Sequence, residues 1–192
     1  MMGLELISIS GGKNYRPHFV IYPLYKKDLK TCLESPELMF EFFNRKGLQI
    51  NLPYSDLIEE FKEVHVIVND SLKISIEDDV SLEDLNDLID DYFYNYRCAI
   101  KHPGKKAALL ELKFYAALYI GDLARIDKIL NEILNASKNW EVKMFEIWYG
   151  NFEVWFESLK KMQANRRAFL DQIEINKQDK KIAKLKSALL LI

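Results

Sequence analysis

Hydrophobic and polar positions in residues 81–192 repeat with the 3.6-residue period of an α-helix. Ser81 is a good N-cap, and Asp84 three residues later completes a near capping box. The apolar stripe that follows consists of Leu85, Leu88, Ile89, Tyr92, Phe93 and Tyr96. We therefore predict that a helix begins at Ser81 and turns this stripe toward the core.

Further helices are predicted after the break at His102-Pro103-Gly104. The segment at about 105–120 is apolar on nearly every side, so we expect a central helix there. Apolar stripes then predict helices at about 123–134, 140–149, 152–175 and 178–191, the last of them basic.

Residues 1–80 have a mixed pattern. Strands are predicted at 4–10 and 19–22 with Gly11-Gly12 as the turn, and at 64–68 and 72–76 with a hairpin turn at Asn69-Asp70. Helical stretches are predicted within 25–45, with a restart at Ser35-Pro36, then a short strand at 48–52 and a helix at 55–64. The chain is expected to be α+β and mostly α, with a sheet-containing portion at 1–80 and a stack of about five antiparallel helices at 81–192, in one continuous globule.

A short internal repeat falls inside the predicted helical array. Leu118-Tyr119-Ile120-Gly121-Asp122-Leu123 is echoed by Ile147-Trp148-Tyr149-Gly150-Asn151-Phe152, and Leu130 is matched by Leu159. Each copy has an apolar helix end, a glycine with a short polar residue and a new apolar run, which predicts a turn between antiparallel helices. The first copy resembles part of a tetratricopeptide repeat, although Gly121 and Gly150 lie 29 residues apart, below the usual ~34. The resemblance implies a stack of helical hairpins, an architecture that holds partner proteins, whereas two ordinary helix pairs would share the same turns.

Composition describes one soluble domain, or one domain with a small appendage. The chain has 192 residues, of which 49% are hydrophobic and 29% charged, and its net charge is −2. So small a charge provides no global attraction to nucleic acid or to an anionic membrane. Apolar runs are too short to span a bilayer, and Glu5 interrupts the first, so neither a transmembrane helix nor a signal peptide is predicted. We expect a cytoplasmic protein in which Cys32 and Cys98 are buried thiols.

An acidic segment overlaps the first predicted helix of the array. Residues 77–91 hold eight carboxylates and no basic residue. The candidate partner-binding residues in it are Glu83, Asp84, Asp87, Asp90 and Asp91. The first two lie in the first helical turn, where the helix dipole favours negative charge, and the other three fall opposite the apolar stripe. The segment is interpreted as a solvated helix face, as a docking surface for a cationic partner, or as paired carboxylates for a metal or for acid–base catalysis.

Aromatic residues are dense around Gly150. The cluster consists of Trp140, Phe145, Trp148, Tyr149, Phe152, Trp155 and Phe156. Its helical spacing fits a core on both sides of the turn, and any uncovered member is a candidate interface anchor because Trp and Tyr dominate binding hot spots. Trp148, Tyr149 and Trp155 are therefore further candidate partner-binding residues.

Basic residues accumulate late in the chain, with nine Lys or Arg between positions 160 and 186 against three carboxylates. Both a solvated helix face and contacts to phosphates fit this pattern. Phe169 is the one aromatic there that would stack on a base, so nucleic acid is not the favoured partner.

Catalytic and ligand-binding motifs are not evident in the sequence, and no cofactor or metal is predicted. Ser10-Gly11-Gly12-Lys13 lacks the spacing of a phosphate loop, and none of the three histidines has a second ligand at helical spacing. We therefore predict a non-catalytic protein that binds another protein, with the favoured hypothesis an immunity or antitoxin type that blocks a cationic, toxin-like partner through its acidic surface. A helical adaptor or effector module and an enzyme with a carboxylate site are the alternatives, and homo-oligomerisation stays open.

Overall fold

The computed structural model describes residues 1–72, 74–76, 78–95 and 102–192. An N-terminal antiparallel sheet is followed by a helical array, which confirms the predicted α+β, mostly α class. Buried side chains from both portions form one hydrophobic cluster. The boundary near residue 80 stays a prediction, and Cys98 lies outside the described residues.

The sheet is built on a hairpin. Strand β1 (Met2–Ile9) pairs antiparallel with β2 (Asn14–Ile21), and a short 3-10 turn at Ser10–Gly12 joins them. This confirms the turn predicted at the two glycines, which both have positive φ. Strands β3 (Leu38–Glu41) and β4 (Leu52–Pro53) pair with different parts of β2, so β2 is the central strand.

Helices make up most of the remaining described chain. They are α1 (Leu29–Leu33), α2 (Leu57–Leu72), α3 (Leu82–Asn95), α4 (Pro103–Ile120), α5 (Leu123–Ser137), α6 (Val142–Tyr149), α7 (Phe152–Ala164) and α8 (Arg166–Lys177). A two-residue parallel pairing of β5 (Val80–Ser81) with β6 (Leu190–Leu191) lies beside the first residue of α3.

Helix α4 is the central helix, as its apolar composition predicts. Phe114, Ala117 and Leu118 have no exposed surface, and the helix contacts α3, α5, α6 and α8. An apolar helix in the middle of an array buries all of its faces, whereas a surface helix needs only one apolar stripe. Helices α3, α5, α6 and α8 are therefore arranged around α4.

The repeated Gly motif forms a turn between two helices at each copy. Gly121 ends α4 in the left-handed conformation, and the side chain of Asp122 then accepts a hydrogen bond from the backbone N–H of Arg125, 3.0 Å away, at the first turn of α5. At the second copy Gly150 has a φ of 70°, and Asn151 accepts from the N–H of Val154 at 3.1 Å. In both copies a glycine with positive φ is followed by an Asx N-cap, which confirms that each echo separates two helices; Gly150, with a ψ of −147°, lies outside the left-handed helical region that Gly121 occupies.

Two strands predicted at 64–68 and 72–76 are wrong. Residues Leu57–Leu72 form the single helix α2, and Asn69-Asp70 lies inside it instead of in a hairpin turn. The buried side chains of this helix are Val64, Val68 and Leu72, which are four residues apart and therefore share one helical face. Tertiary packing of that face overrides the preference of β-branched residues for strands.

The helix predicted after Ser35-Pro36 is also wrong. Residues Leu38–Glu41 form β3, which continues the sheet beside β2. Phe19 of β2 is fully buried and lies opposite Phe40 in the register, so completing the sheet outweighs the helical signal. Similarly, the short strand expected at 48–52 is reduced to Leu52–Pro53.

The end of the array differs from its prediction in two places. The helix expected at 152–175 is interrupted at Asn165, whose φ of −115° and ψ of 42° are not helical. The basic helix expected at 178–191 is absent: Asp179 accepts from the N–H of Lys181 in a local turn, and the chain end extends to pair with β5. A side chain that bonds its own backbone competes with helix formation, and few apolar contacts oppose it here.

Asn176 ties α8 to the segment that follows the N-terminal hairpin. This side chain is 4% exposed, and its Nδ2 donates to the carbonyl oxygens of Leu24 and Lys26, both at 2.8 Å. We expect Asn176→Ala to lower the free energy of unfolding by about 2–3 kcal/mol, because two carbonyls lose their donor. Urea denaturation followed by circular dichroism measures the loss.

The matched control for Asn176 is Gln172→Ala. Gln172 lies on the same helix and donates a single bond, 3.3 Å long, to the carbonyl of Lys27 near the surface. Its removal is expected to cost less than about 0.5 kcal/mol. Equal losses for the two variants would contradict the role assigned to Asn176.

Candidate functional site

A cleft of about 450 Å³ lies between α3 and α5 and is the candidate site. Buried Leu85, Leu88 and Ile89 hold one face of α3 against the core, which turns its acidic face toward the cleft. The charged residues that line it are Glu83, Asp87, Asp90, Lys113, Asp122, Arg125, Lys128 and Glu132. Carboxylates therefore outnumber basic groups in the lining.

Two of the basic groups are neutralised within the cleft. The Lys113 Nζ reaches from α4 to Asp90 Oδ1, 2.6 Å away, and the Lys113 side chain is only 10% exposed. Arg125 Nε pairs with Asp122 Oδ2 at 3.3 Å. Because a nearly buried ammonium needs a partner, the first pair also fixes α3 against α4.

The remaining carboxylates give the cleft its negative charge. Glu83, Asp87 and Glu132 form no ion pair with any described residue, and Lys128 is the single lining cation in the same state. Carboxylates that line one cleft add their potentials there and attract a cation more strongly than isolated ones. The arrangement is therefore suited to accept positive charge from outside the chain.

The acidic residues singled out by sequence divide into three groups. Glu83, Asp87 and Asp90 line the cleft, as a shared helix face requires. Asp84 instead completes the N-terminal cap of α3, since its Oδ2 accepts from Ser81 Oγ at 2.6 Å while its backbone N–H donates to Ser81 Oγ at 3.0 Å. Asp91 does not line the cleft. The capping interaction confirms the predicted helix start.

The three candidate aromatics do not share one surface. Trp155 is 7% exposed and lies in the core, whereas Trp148 is 53% exposed. Tyr149 is half-buried, and its ring is stacked on Phe145 with centroids 5.2 Å apart. Trp148 lies over the start of α4, where a Cβ on Gly104 would come within 2.9 Å of its Cγ. Among these three, Trp148 alone is placed to contact a partner while the fold stays intact.

Glu111 carries a half-buried carboxyl that the sequence patterns did not single out. It lies on the central helix α4, where its Oε1 accepts from Tyr115 Oη at 2.6 Å and from Trp155 Nε1 at 3.2 Å. Desolvation raises the pKa of this carboxyl, and the negative charge of Glu37 adds to the effect. Its signal in the sequence was a carboxylate within a helix that is otherwise almost entirely apolar.

Ligand sites of other kinds are not evident in the part of the chain that the structure describes. No group of three or more His, Cys, Asp or Glu side chains is placed there to hold a metal ion. His18, His65 and His102 lie on β2, on α2 and before α4, and Cys32 is a buried free thiol. None of the described helices has the length and apolar character needed to cross a membrane.

Comparisons with protein-family models, curated proteins and solved structures found no match to this chain. The tetratricopeptide resemblance of the first Gly turn is therefore not extended to a family. Functional inference rests on the geometry of the cleft and of the helical hairpins around it.

Proposed function

We propose that this chain is a non-catalytic cytoplasmic protein that binds another protein and blocks it, as immunity proteins and antitoxins do. The observation that supports the proposal is a concave group of three carboxylates between α3 and α5, Glu83, Asp87 and Glu132, which form no ion pair with a described residue. Its partner is a protein with a basic surface, whose lysine or arginine side chains enter the cleft.

The cleft has properties that favour tight docking. Its carboxylates lie on α3 and α5, two helices that pack on the central helix, so little ordering is needed on binding. Its size of about 450 Å³ admits one or two long side chains. A negative surface of this kind also accelerates encounter with a cationic partner, which suits a protein that must neutralise a toxin quickly.

The test removes the unpaired charges and leaves the internal ion pairs in place. The triple variant Glu83→Gln, Asp87→Asn, Glu132→Gln is expected to bind the partner at least about tenfold more weakly at physiological salt. The partner is first captured from the native host with the wild-type protein and identified by mass spectrometry, and affinity is then measured by calorimetry. The variant should unfold within a few degrees of the wild type, because none of the three side chains forms an ion pair with a described residue and the interaction of Glu83 with the helix dipole contributes at most about 1 kcal/mol.

The matched control removes three exposed carboxylates away from the cleft: Glu141→Gln just before α6, Glu146→Gln in α6 and Glu153→Gln in α7. It makes the same change in net charge, so a general electrostatic effect weakens both variants equally. Wild-type affinity in the cleft variant, or equal loss in the two, would contradict the proposed site.

A helical adaptor is the second candidate, and the exposed apolar residues of α6 and α7 favour it. Ile147 is 79% exposed, Trp148 53% and Val154 71%. If this surface binds the partner, Trp148→Ala removes binding, because an exposed aromatic anchor carries a large share of interface energy. The triple cleft variant then binds with wild-type affinity. The same calorimetric titration distinguishes the two candidates.

A further inference from the structure

Glu111 joins three helices of the array at a single carboxyl group. Tyr115 donates to it from the same helix, α4, one turn away at 2.6 Å. Tyr149, the last residue of α6, donates to Oε2 at 3.3 Å, and Trp155 of α7 donates to Oε1 at 3.2 Å. The polar attachment of the α6–α7 hairpin to the central helix thus passes through this group.

The surroundings of Glu111 contain no compensating cation among the described residues. Tyr25, from the segment between β2 and α1, lies against Tyr115 with ring centroids 4.0 Å apart and the ring planes tilted by 39°. Glu37, before β3, adds negative charge, although its own carboxylate is paired with Lys26 at 3.1 Å. From α8 the nearby ring is Phe169, which is apolar. An ionised Glu111 is therefore stabilised by hydrogen bonds alone.

We propose that the contact made by Glu111 is sensitive to its protonation state. Ionisation of Glu111 favours release of the α6–α7 hairpin from α4, and protonation favours the docked hairpin. The inference is independent of the acidic cleft, which lies on the α3–α5 side of the central helix. Release of the hairpin would move the surface that carries Ile147 and Trp148, already exposed in the docked state, away from the start of α4.

The direction follows from burial. The docked state desolvates the carboxyl and raises its pKa above the ordinary value of 4.5, whereas release of the hairpin returns it to water. The docked state therefore binds more protons than the released state. The contribution of Glu111 to the free energy of hairpin docking is fully present below the ordinary pKa of a glutamate. It decreases as the pH rises toward the raised pKa of the docked state.

Amide hydrogen exchange measured across a pH series tests whether Glu111 controls release of the hairpin. Protection factors are converted to equilibrium constants for opening. From about pH 5 to about pH 8, the opening constant of α6 and α7 is expected to rise by up to about tenfold per pH unit, the limit for one proton, until the docked carboxyl is ionised. Helix α5, which packs on α4 away from Glu111, is expected to change less. In Glu111→Gln the opening constant is expected not to rise with pH, because the amide retains an acceptor for Tyr115 and Trp155 but cannot ionise. The control Glu146→Gln, an exposed change on α6, is expected to keep the wild-type rise.

A second variant keeps the test decisive if Glu111→Gln does not fold. Tyr149→Phe removes one donor to the ionised carboxylate, so the rise is expected to extend to higher pH. Parallel changes in α5 and in α6–α7 would show a global rather than a local effect and would overturn the proposal. The proposal is also overturned if Glu111→Gln folds and its opening constant still rises with pH as in the wild type. It is overturned as well if, in Tyr149→Phe, the opening constant stops rising at the same pH as in the wild type.

Discussion

Replacing Phe145 by alanine is expected to lower the free energy of unfolding by about 3–5 kcal/mol. The side chain is 2% exposed and lies at the centre of the aromatic cluster around Gly150. Its ring centroid is 5.2 Å from that of Trp140 and 5.3 Å from that of Trp155. Alanine leaves a cavity among large rigid rings, and such rings cannot move far enough to fill it.

Thermal and urea unfolding monitored by far-ultraviolet circular dichroism measure this loss without relying on the tryptophans of the cluster. Val142→Ala is the control on the same helix, since Val142 is 64% exposed and should cost less than about 0.5 kcal/mol. A loss below about 1.5 kcal/mol for Phe145→Ala would mean that α6 is not held by this cluster.

Gly121→Ala is expected to destabilise the protein by about 3 kcal/mol, for two reasons that add. The φ of 90° is unfavourable for any residue with a Cβ, at a cost of about 1–2 kcal/mol. In addition, the new Cβ would lie 3.1 Å from Arg166 Cζ. That guanidinium donates to the carbonyls of Leu118 and Tyr119, both at 2.6 Å, so displacing it weakens two charge-assisted bonds at the end of α4.

Gly47→Ala separates the two contributions to the Gly121 effect. Gly47 also has a positive φ, 73°, but no atom lies within 4 Å of a Cβ built there. Its substitution should cost only the conformational part, about 1–2 kcal/mol. Differential scanning calorimetry of the two variants compares them, and an equal loss would show that contact with Arg166 contributes nothing.

The helical array was predictable to the extent that its signals are local. Ser81, Gly121 and Gly150 mark helix ends through caps and positive φ, and these depend on neighbouring residues alone. The errors occurred where distant partners decide. Val64 and Val68 favour a strand locally but fit one buried face of a helix, and Leu38–Glu41 becomes a strand because β2 supplies its partner.

Only the α3 side of the candidate cleft was predictable. Helical spacing placed Asp87 and Asp90 opposite the apolar stripe of α3, and Glu83 was assigned to the first turn of the same helix. Glu132 of α5 and Lys113 of α4 join them only through tertiary packing, which periodicity does not encode. The hydrogen-bond partners of Glu111 are equally non-local, since Tyr149 and Trp155 follow it by 38 and 44 residues.

The bonds made by Arg166 and Asn176 impose an order on how the chain is completed during synthesis. The end of α4 lacks its capping guanidinium until a residue 48 positions downstream of Leu118 has emerged. The donor to the carbonyl of Leu24 is Asn176, which lies 152 positions later in the chain. A chain that stops before α8 thus lacks the native donors for carbonyl groups at the end of α4 and in the segment after β2.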